Sequence, residues 1–305
     1  MTGSVLCIGE CMVELMQADG DLMRKGYAGD TFNTAFYTRN FLPESWQVFY
    51  LSALGTDAVS DDMVSFMEGN GISTRHMRRI SGRMPGLYMI HLKDGERSFS
   101  YWRANSAAKL LADDPNHLRR AIDACRIIVF SGITLAILAP AAADTLLAEI
   151  ARAKAEGKVV IFDPNIRPNL WDNVERMRAV ISEGARSATI VMPSFEDEAA
   201  HFGDTSPAET IDRYQGLGAP NVVVKNGADG VTLNFGGKAD FVPSVAVDAI
   251  VDTTSAGDSF NGAFLANYLT TGDTASAAAF AAKVASAVIG HHGALVSKDK
   301  LANVL

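Results

Sequence analysis

Four short apolar blocks recur in the second half of the chain: Ile127-Ile128-Val129-Phe130-Ser131, Val159-Val160-Ile161-Phe162-Asp163, Thr189-Ile190-Val191-Met192 and Val222-Val223-Val224-Lys225. Their interiors show no apolar–polar alternation, so each is expected to be buried on both faces. The first three are each followed by a helical pattern, over residues 139–155, 174–185 and 195–202. Continuous Val/Ile strands spaced by helices predict a mostly parallel sheet with helices packed on either side, an α/β fold. Val5-Leu6-Cys7-Ile8-Gly9 and the run from Val48 to Leu54 supply two further strands, and a helix from about Ser60 to Asn70 follows the second. Ligands of such a sheet bind beyond the C-terminal ends of its strands, so the loops there are where chemistry is sought.

Two regions depart from this pattern. Gly86 to Leu92 and Arg97 to Trp102 flank Lys93-Asp94-Gly95-Glu96, and Asp-Gly between two such runs predicts a hairpin. No helix separates them, so they are expected to form a small sheet outside the main body. Cys11 to Met16 alternates more than a buried strand and is expected to leave the main sheet as well.

Composition narrows the function. The chain has 305 residues, 48% hydrophobic and 20% charged, enough for one large α/β domain or two smaller ones. A net charge of −8 argues against general nucleic-acid binding, which needs a basic surface. Cys7, Cys11 and Cys125 are too few and too scattered for a disulfide framework and read as reduced, buried thiols of a cytoplasmic protein. No signal peptide is expected at the N-terminus. The uncharged run 127–143 approaches membrane-spanning length, but Ser131-Gly132 and Pro140 break it into a strand, a turn and a helix start.

The most chemically suggestive stretch is Asp252-Thr253-Thr254-Ser255-Ala256-Gly257-Asp258-Ser259-Phe260, with a helical pattern following at once. Small residues there would leave the amides of the first helical turn open, and open amides at the positive end of a helix bind phosphate oxygens. Asp258 would lie in the same turn, placed to take a proton from a hydroxyl attacking that phosphate. The plainer alternative is that Asp-Thr-Thr-Ser simply caps a helix.

This stretch resembles the C-terminal signature of the ribokinase-like (PfkB) sugar kinases, Asp-Thr-x-Gly-Ala-Gly-Asp, with Ser255 standing where that family usually has Gly or Ala. The resemblance runs over nearly the whole chain. It implies one ribokinase-like α/β domain over residues 1–305, with a β-sheet lid built from insertions at roughly 11–28 and 84–104. Gly29, Asp30 and Asn33 match the N-terminal signature, whose turn holds sugar hydroxyls. Tyr88, Tyr101 and Arg103 would face the sugar from the lid, the alternative being an ordinary surface hairpin. Asp163-Pro164-Asn165-Ile166-Arg167 is similar to the family's Asp-x-Asn-x-Arg, in which Asn165 would approach the nucleotide phosphates and magnesium and Arg167 the acceptor. An Asn turn and a surface ion pair for Arg167 are the alternatives.

Lys225, Asn226, Gly227 and Gly230 resemble the family's Lys-x-Gly-x-x-Gly turn over the nucleotide, and an ordinary hairpin turn is compatible with that role. Ser255, Ala256 and Gly257 would cradle phosphate, Ala256 and Gly257 stabilising charge in transfer, and Asp252 would help hold the sugar or a nearby ion. Ser194 and Asp197 replace the usual Asn and Glu of a magnesium-water element, and Ser194 reads better as a plain helix cap. The resemblance implies ATP and Mg2+, and admits a monovalent cation such as K+ near Asp252 and Thr254. No residue is assigned as a protein ligand to a metal. A membrane or nucleic-acid partner is not expected, and a homo-oligomer is compatible.

Within the family, Gly29-Asp30-Thr31-Phe32-Asn33, Pro85-Gly86-Leu87-Tyr88, Tyr101-Trp102-Arg103 and Arg167-Pro168-Asn169-Leu170-Trp171 look like the branch that phosphorylates O6 of 2-keto-3-deoxygluconate. Two Arg side chains, Arg103 and Arg167, suit the carboxylate of an acid sugar, which ribose and fructose lack. Fructokinase or ribokinase activity, and a non-catalytic sugar-binding module, are the competing expectations.

Overall fold

The computed structural model describes residues 3–18, 22–93, 96–247 and 249–304. The chain begins β1 (Ser4–Ile8), β2 (Met12–Gln17), β3 (Met23–Ala28), α1 (Asp30–Phe41), β4 (Gln47–Leu51), β5 (Ala53–Leu54), α2 (Ala58–Gly69), β6 (Ile72–Ser73), β7 (Arg78–Arg79), β8 (Leu87–Lys93), β9 (Glu96–Trp102) and α3 (Pro115–Asp123). It continues β10 (Ile127–Ser131), α4 (Gly132–Ile137), α5 (Pro140–Ala155), β11 (Val159–Asp163), α6 (Val174–Arg186), β12 (Ile190–Val191), α7 (Phe195–Phe202), α8 (Pro207–Gly216), β13 (Asn221–Lys225), β14 (Val231–Phe235), β15 (Lys238–Val242), α9 (Ala256–Thr271) and α10 (Thr274–Val288).

Nine strands form the main sheet in the order β15-β14-β13-β12-β11-β10-β1-β4-β6. The seven from β13 to β6 pair in parallel, and β14 and β15 extend the sheet as an antiparallel edge. Alternate residues of each central strand feed two separate cores. Val5, Cys7, Ile127 and Val129 pack with Phe32 of α1, Phe264 of α9 and Ala281 of α10. Leu6, Ile8, Ile128 and Phe130 pack with Leu118 of α3, Leu146 of α5 and Ile181 of α6. Burying a side chain of this size stabilises by roughly 1.5–3 kcal/mol, so both faces are held by many such contributions. This two-sided burial is why the strands carry unbroken apolar runs.

A second sheet, ordered β3-β2-β8-β9, stands apart from the first. It is built from the two excursions read in the sequence, and Cys11 to Met16 does leave the main sheet, as β2. β8 and β9 pair antiparallel from Leu87↔Trp102 to Lys93↔Glu96. The expected turn residues Asp94 and Gly95 lie outside the described residues. Met12, Ala28, Tyr88 and Ile90 on one face of this sheet pack against Ala294, beyond α10.

The structure also departs from the expectations. The single strand expected over Val48 to Leu54 divides at Ser52: β4 stays in the main sheet, whereas β5 pairs with β7, and the Ser52 carbonyl accepts from Arg78 N instead. The helices α3 and α8 and the β14–β15 edge were not read, although Asp114-Pro115 and Ser206-Pro207 are both cap-plus-proline starts, with Asp114 and Ser206 accepting from the amides of His117 and Glu209. All three cysteines are buried free thiols, and burial pushes each thiol's pKa up. Among the described residues no helix is long and apolar enough to cross a membrane.

Candidate active site

Two cavities meet at the N-terminus of α9, beyond the C-terminal ends of the central strands. The first, about 670 Å³, lies between the second sheet, the start of α1 and the loop after β11. The second, about 530 Å³, lies between the β13–β14 turn and α10. Ile250, Thr253, Ala256 and Gly257 line both.

The turn into α9 is made by Ser255, whose φ of 66° is left-handed, a conformation that suits glycine better than serine. That explains why small residues gather here. The cap-only alternative fails: Ser255 makes no side-chain cap bond, and its hydroxyl is buried without a partner among the described residues. Asp252 does not cap either. Its Oδ1 accepts from Thr254 N at 2.9 Å and its Oδ2 from Gly293 N at 2.7 Å, tying two loops together. One assignment is corrected. The left-handed turn brings the Thr253 carbonyl to Ala256 N at 3.2 Å, so the Ala256 amide is engaged. The amides left open among the described residues are those of Gly257 and Asp258.

Asp258 faces the first cavity and is ringed by protein on its other sides. Its Oδ2 accepts from Asn33 Nδ2 at 2.8 Å. Burial first, and then the charge of Asp30, push its carboxyl up to about 7, and the Asn33 hydrogen bond partly offsets them. Asn33 also accepts from Gly29 N, through Oδ1 at 3.3 Å. Asn33, expected on the sugar, lines the first cavity and also orients the carboxylate. Gly29 is needed for close approach: a Cβ there would lie 2.1 Å from the Glu10 carbonyl oxygen. Gly29→Ala is accordingly expected to lower the melting temperature, by several degrees in a calorimetric scan, because a main-chain crossing must shift.

Asp30 and Asn165 meet across the cavity floor, Asn165 Nδ2 donating to Asp30 Oδ2 at 3.0 Å. Asn165 has a left-handed φ of 34°, stabilised by its backbone N–H donating to Asp163 Oδ1. Beneath the open amides, Lys225 and Asp163 form a buried network with Asn261, a residue that the sequence did not single out. Asn261 Nδ2 donates to Asp163 Oδ2 at 2.6 Å, and Lys225 Nζ donates to Asn261 Oδ1 at 3.0 Å and lies 3.5 Å from Asp163 Oδ2. A Cβ on Gly257 would fall 3.6 Å from Lys225 Nζ, which locates the ammonium at the junction of the two cavities. The one available signal for Asn261 was its place three residues after Asp258, on the same face of a helix.

Arg167 lines the first cavity, half exposed, with Nη1 3.6 Å from Asp197 Oδ2. Contrary to the helix-cap expectation, Ser194 stands at the α7 N-cap position but makes no side-chain cap bond, and its backbone bridges to Lys225. Tyr88 and Tyr101 line the same cavity, their ring centroids 5.9 Å apart. Arg103 does not line either cavity. Its guanidinium pairs with Glu10, a carboxylate only 2% exposed, which would otherwise be a buried uncompensated charge.

Lys225, Asn226, Gly227 and Gly230 all line the second cavity. The hairpin and cavity readings of this turn hold together: Asn226 N donates to Gly230 O between β13 and β14, and Gly227 and Gly230 take left-handed φ of 51° and 91°. Ala282, Ala285 and Ile289, on α10 and its C-cap, form an apolar wall opposite. His291 bonds locally to the Ala287 carbonyl.

The model of the pfkB family carbohydrate kinases matches residues 2–301. The 2-dehydro-3-deoxygluconokinase of Dickeya dadantii (strain 3937) is 37% identical over 98% of this chain and 99% of its own length. That of Escherichia coli (strain K12) is 36% identical over 99% of both. Among solved structures, a fructokinase with bound ATP from Xylella fastidiosa superposes with a TM-score of 0.85 at 23% identity, covering 100% of this chain and 98% of that one. With a family match from end to end and relatives this similar over their full length, the chain belongs to the pfkB family of carbohydrate kinases.

Proposed function

We propose that the chain transfers the terminal phosphoryl group of ATP to the O6 hydroxyl of 2-keto-3-deoxygluconate, with Asp258 as the general base. The observation that carries this is the position of Asp258: it faces one cavity, in the same helical turn as Gly257, whose open amide borders a second. The apolar walls of the second cavity suit a nucleotide base, and the Gly257 and Asp258 amides with the Lys225 ammonium suit phosphate oxygens. ATP supplies the phosphoryl group, with magnesium offsetting the charge of its phosphates. Asp258 takes the proton of the acceptor hydroxyl as that oxygen forms its bond to phosphorus. The two amides and Lys225 stabilise the negative charge spread over the transferring group. The second sheet serves as a lid that excludes water from the first cavity.

The acid end of the sugar is assigned to Arg167, whose guanidinium borders the first cavity beside Asp197. Relatives of near-equal length named for this keto-acid favour the same acceptor. Coupled detection of ADP with 2-keto-3-deoxygluconate, gluconate, fructose and ribose tests the reading. Preference for the keto-acid by at least about tenfold in kcat/KM is expected, and preference for fructose or ribose would contradict it. ADP release that depends on added sugar would exclude the non-catalytic alternative, and no ADP release with any of these sugars would favour it. Arg167→Ala should raise KM for the keto-acid by about 10- to 100-fold and leave a neutral sugar almost unchanged. An equal loss for both would remove the carboxylate assignment.

A further inference from the structure

A row of residues crosses the second sheet in register: Gly26 opposite Glu14, Glu14 opposite Tyr88, and Tyr88 opposite Tyr101. Residues opposite each other on paired strands share a face, and Tyr88 and Tyr101 show this face to be the one over the first cavity. Glu14 does not line the cavity. It is 9% exposed, lies behind Tyr88 and accepts the phenol proton on Oε2. Gly26 makes room for it: a Cβ there would come within 3.3 Å of Glu14 Oε1.

A phenol has one proton and two lone pairs. With its O–H donating to Glu14, Tyr88 Oη offers the cavity only an acceptor. Burial and the neighbouring Glu14 charge hold the phenol's pKa far above its usual value, so the proton stays on tyrosine. A sugar hydroxyl donates to such an oxygen. A carboxylate has nothing to donate and is repelled by the charge behind it.

We propose that Glu14 is a positioning residue that fixes Tyr88 Oη as the acceptor for a substrate hydroxyl, and so turns the acid end of the sugar away from this wall and towards Arg167. The orientation of the acid end rests on the keto-acid reading given above. The link from Glu14 through Tyr88 does not.

The test is a double-mutant cycle in the full-length protein, with E14Q, Y88F and E14Q/Y88F assayed on whichever sugar the wild type phosphorylates best. Each single change is expected to raise the sugar KM about tenfold, with kcat and the KM for ATP within about twofold of wild type. The double variant should be no worse than Y88F, because Glu14 acts on the sugar through the phenol. Multiplying effects, or a wild-type sugar KM in E14Q, would overturn the proposal. Should E14Q melt early, Y88F alone still decides: a wild-type sugar KM in Y88F is equally fatal. A wild type that prefers fructose sinks the keto-acid reading and the orientation with it, while the cycle run on fructose still decides whether Glu14 works through Tyr88.

Discussion

Asp258→Asn is expected to lower kcat about a thousandfold while ATP binding is almost kept. The variant keeps the shape of the side chain and an oxygen that Asn33 can reach, but it has no basic oxygen to receive the acceptor's proton. General bases contribute on the order of 10²–10⁴ in rate, and the desolvated position of Asp258 puts it towards the upper end. Turnover within tenfold of wild type would remove Asp258 from the role.

The same residue sets the pH dependence. Its carboxyl is raised to about 7, and a base works only when deprotonated. The kcat/KM of the wild type should therefore fall about tenfold per pH unit below roughly pH 7 and level off above it. Stability has the opposite sign. The folded state holds the Asp258 proton more tightly than the unfolded chain does, so ionising it costs stability from about pH 4 upward, fully so above about pH 7. Asp258→Asn should thus melt at a higher temperature than wild type at pH 8, with the difference closing as pH falls towards 4.

Lys225→Met is expected to reduce kcat/KM for ATP by a factor of 100 or more. Lys225 is the cation placed at the junction of the cavities, held by Asn261 and lying near Asp163. Donors aimed at developing charge in a water-poor site are worth about 3–4 kcal/mol each. Methionine fills the space but leaves Asp163 without its nearby charge and Asn261 Oδ1 without its donor. Breaking a buried pair from one side costs on the order of 3–5 kcal/mol, so a lower melting temperature should accompany the kinetic loss. A variant that melted early yet kept its kcat/KM for ATP would make Lys225 a structural residue only.

The main sheet was legible because two-sided burial writes itself into the sequence as Val/Ile runs. Ile127–Ser131 and Val159–Asp163 match their strands end to end. Of the two edge strands, β15 escaped because it is largely exposed and does not alternate, Lys238–Val242 burying only Val242. By contrast, β14 alternates strictly as Val231-Thr232-Leu233-Asn234-Phe235 and carried a strand signal that went unread. In the site, local chemistry was readable and long-range pairing was not. The small residues before Asp258 announced a special helix start, but nothing nearby revealed that Asn33, 225 positions earlier, would grip Asp258. Arg103 was read towards the substrate because the family resemblance places it in a lid over the sugar, and an arginine fork suits a carboxylate. Its partner Glu10 lies 93 positions away and becomes buried only when the second sheet folds onto the first.

A crystal structure with the keto-acid and a non-hydrolysable ATP analogue bound together tests the central claim most directly. The sugar's O6 should lie about 3 Å from an Asp258 carboxylate oxygen, and in line with a terminal phosphorus held at the Gly257 and Asp258 amides. A terminal phosphate bound away from the start of α9, or a sugar whose O6 points away from Asp258, would contradict it.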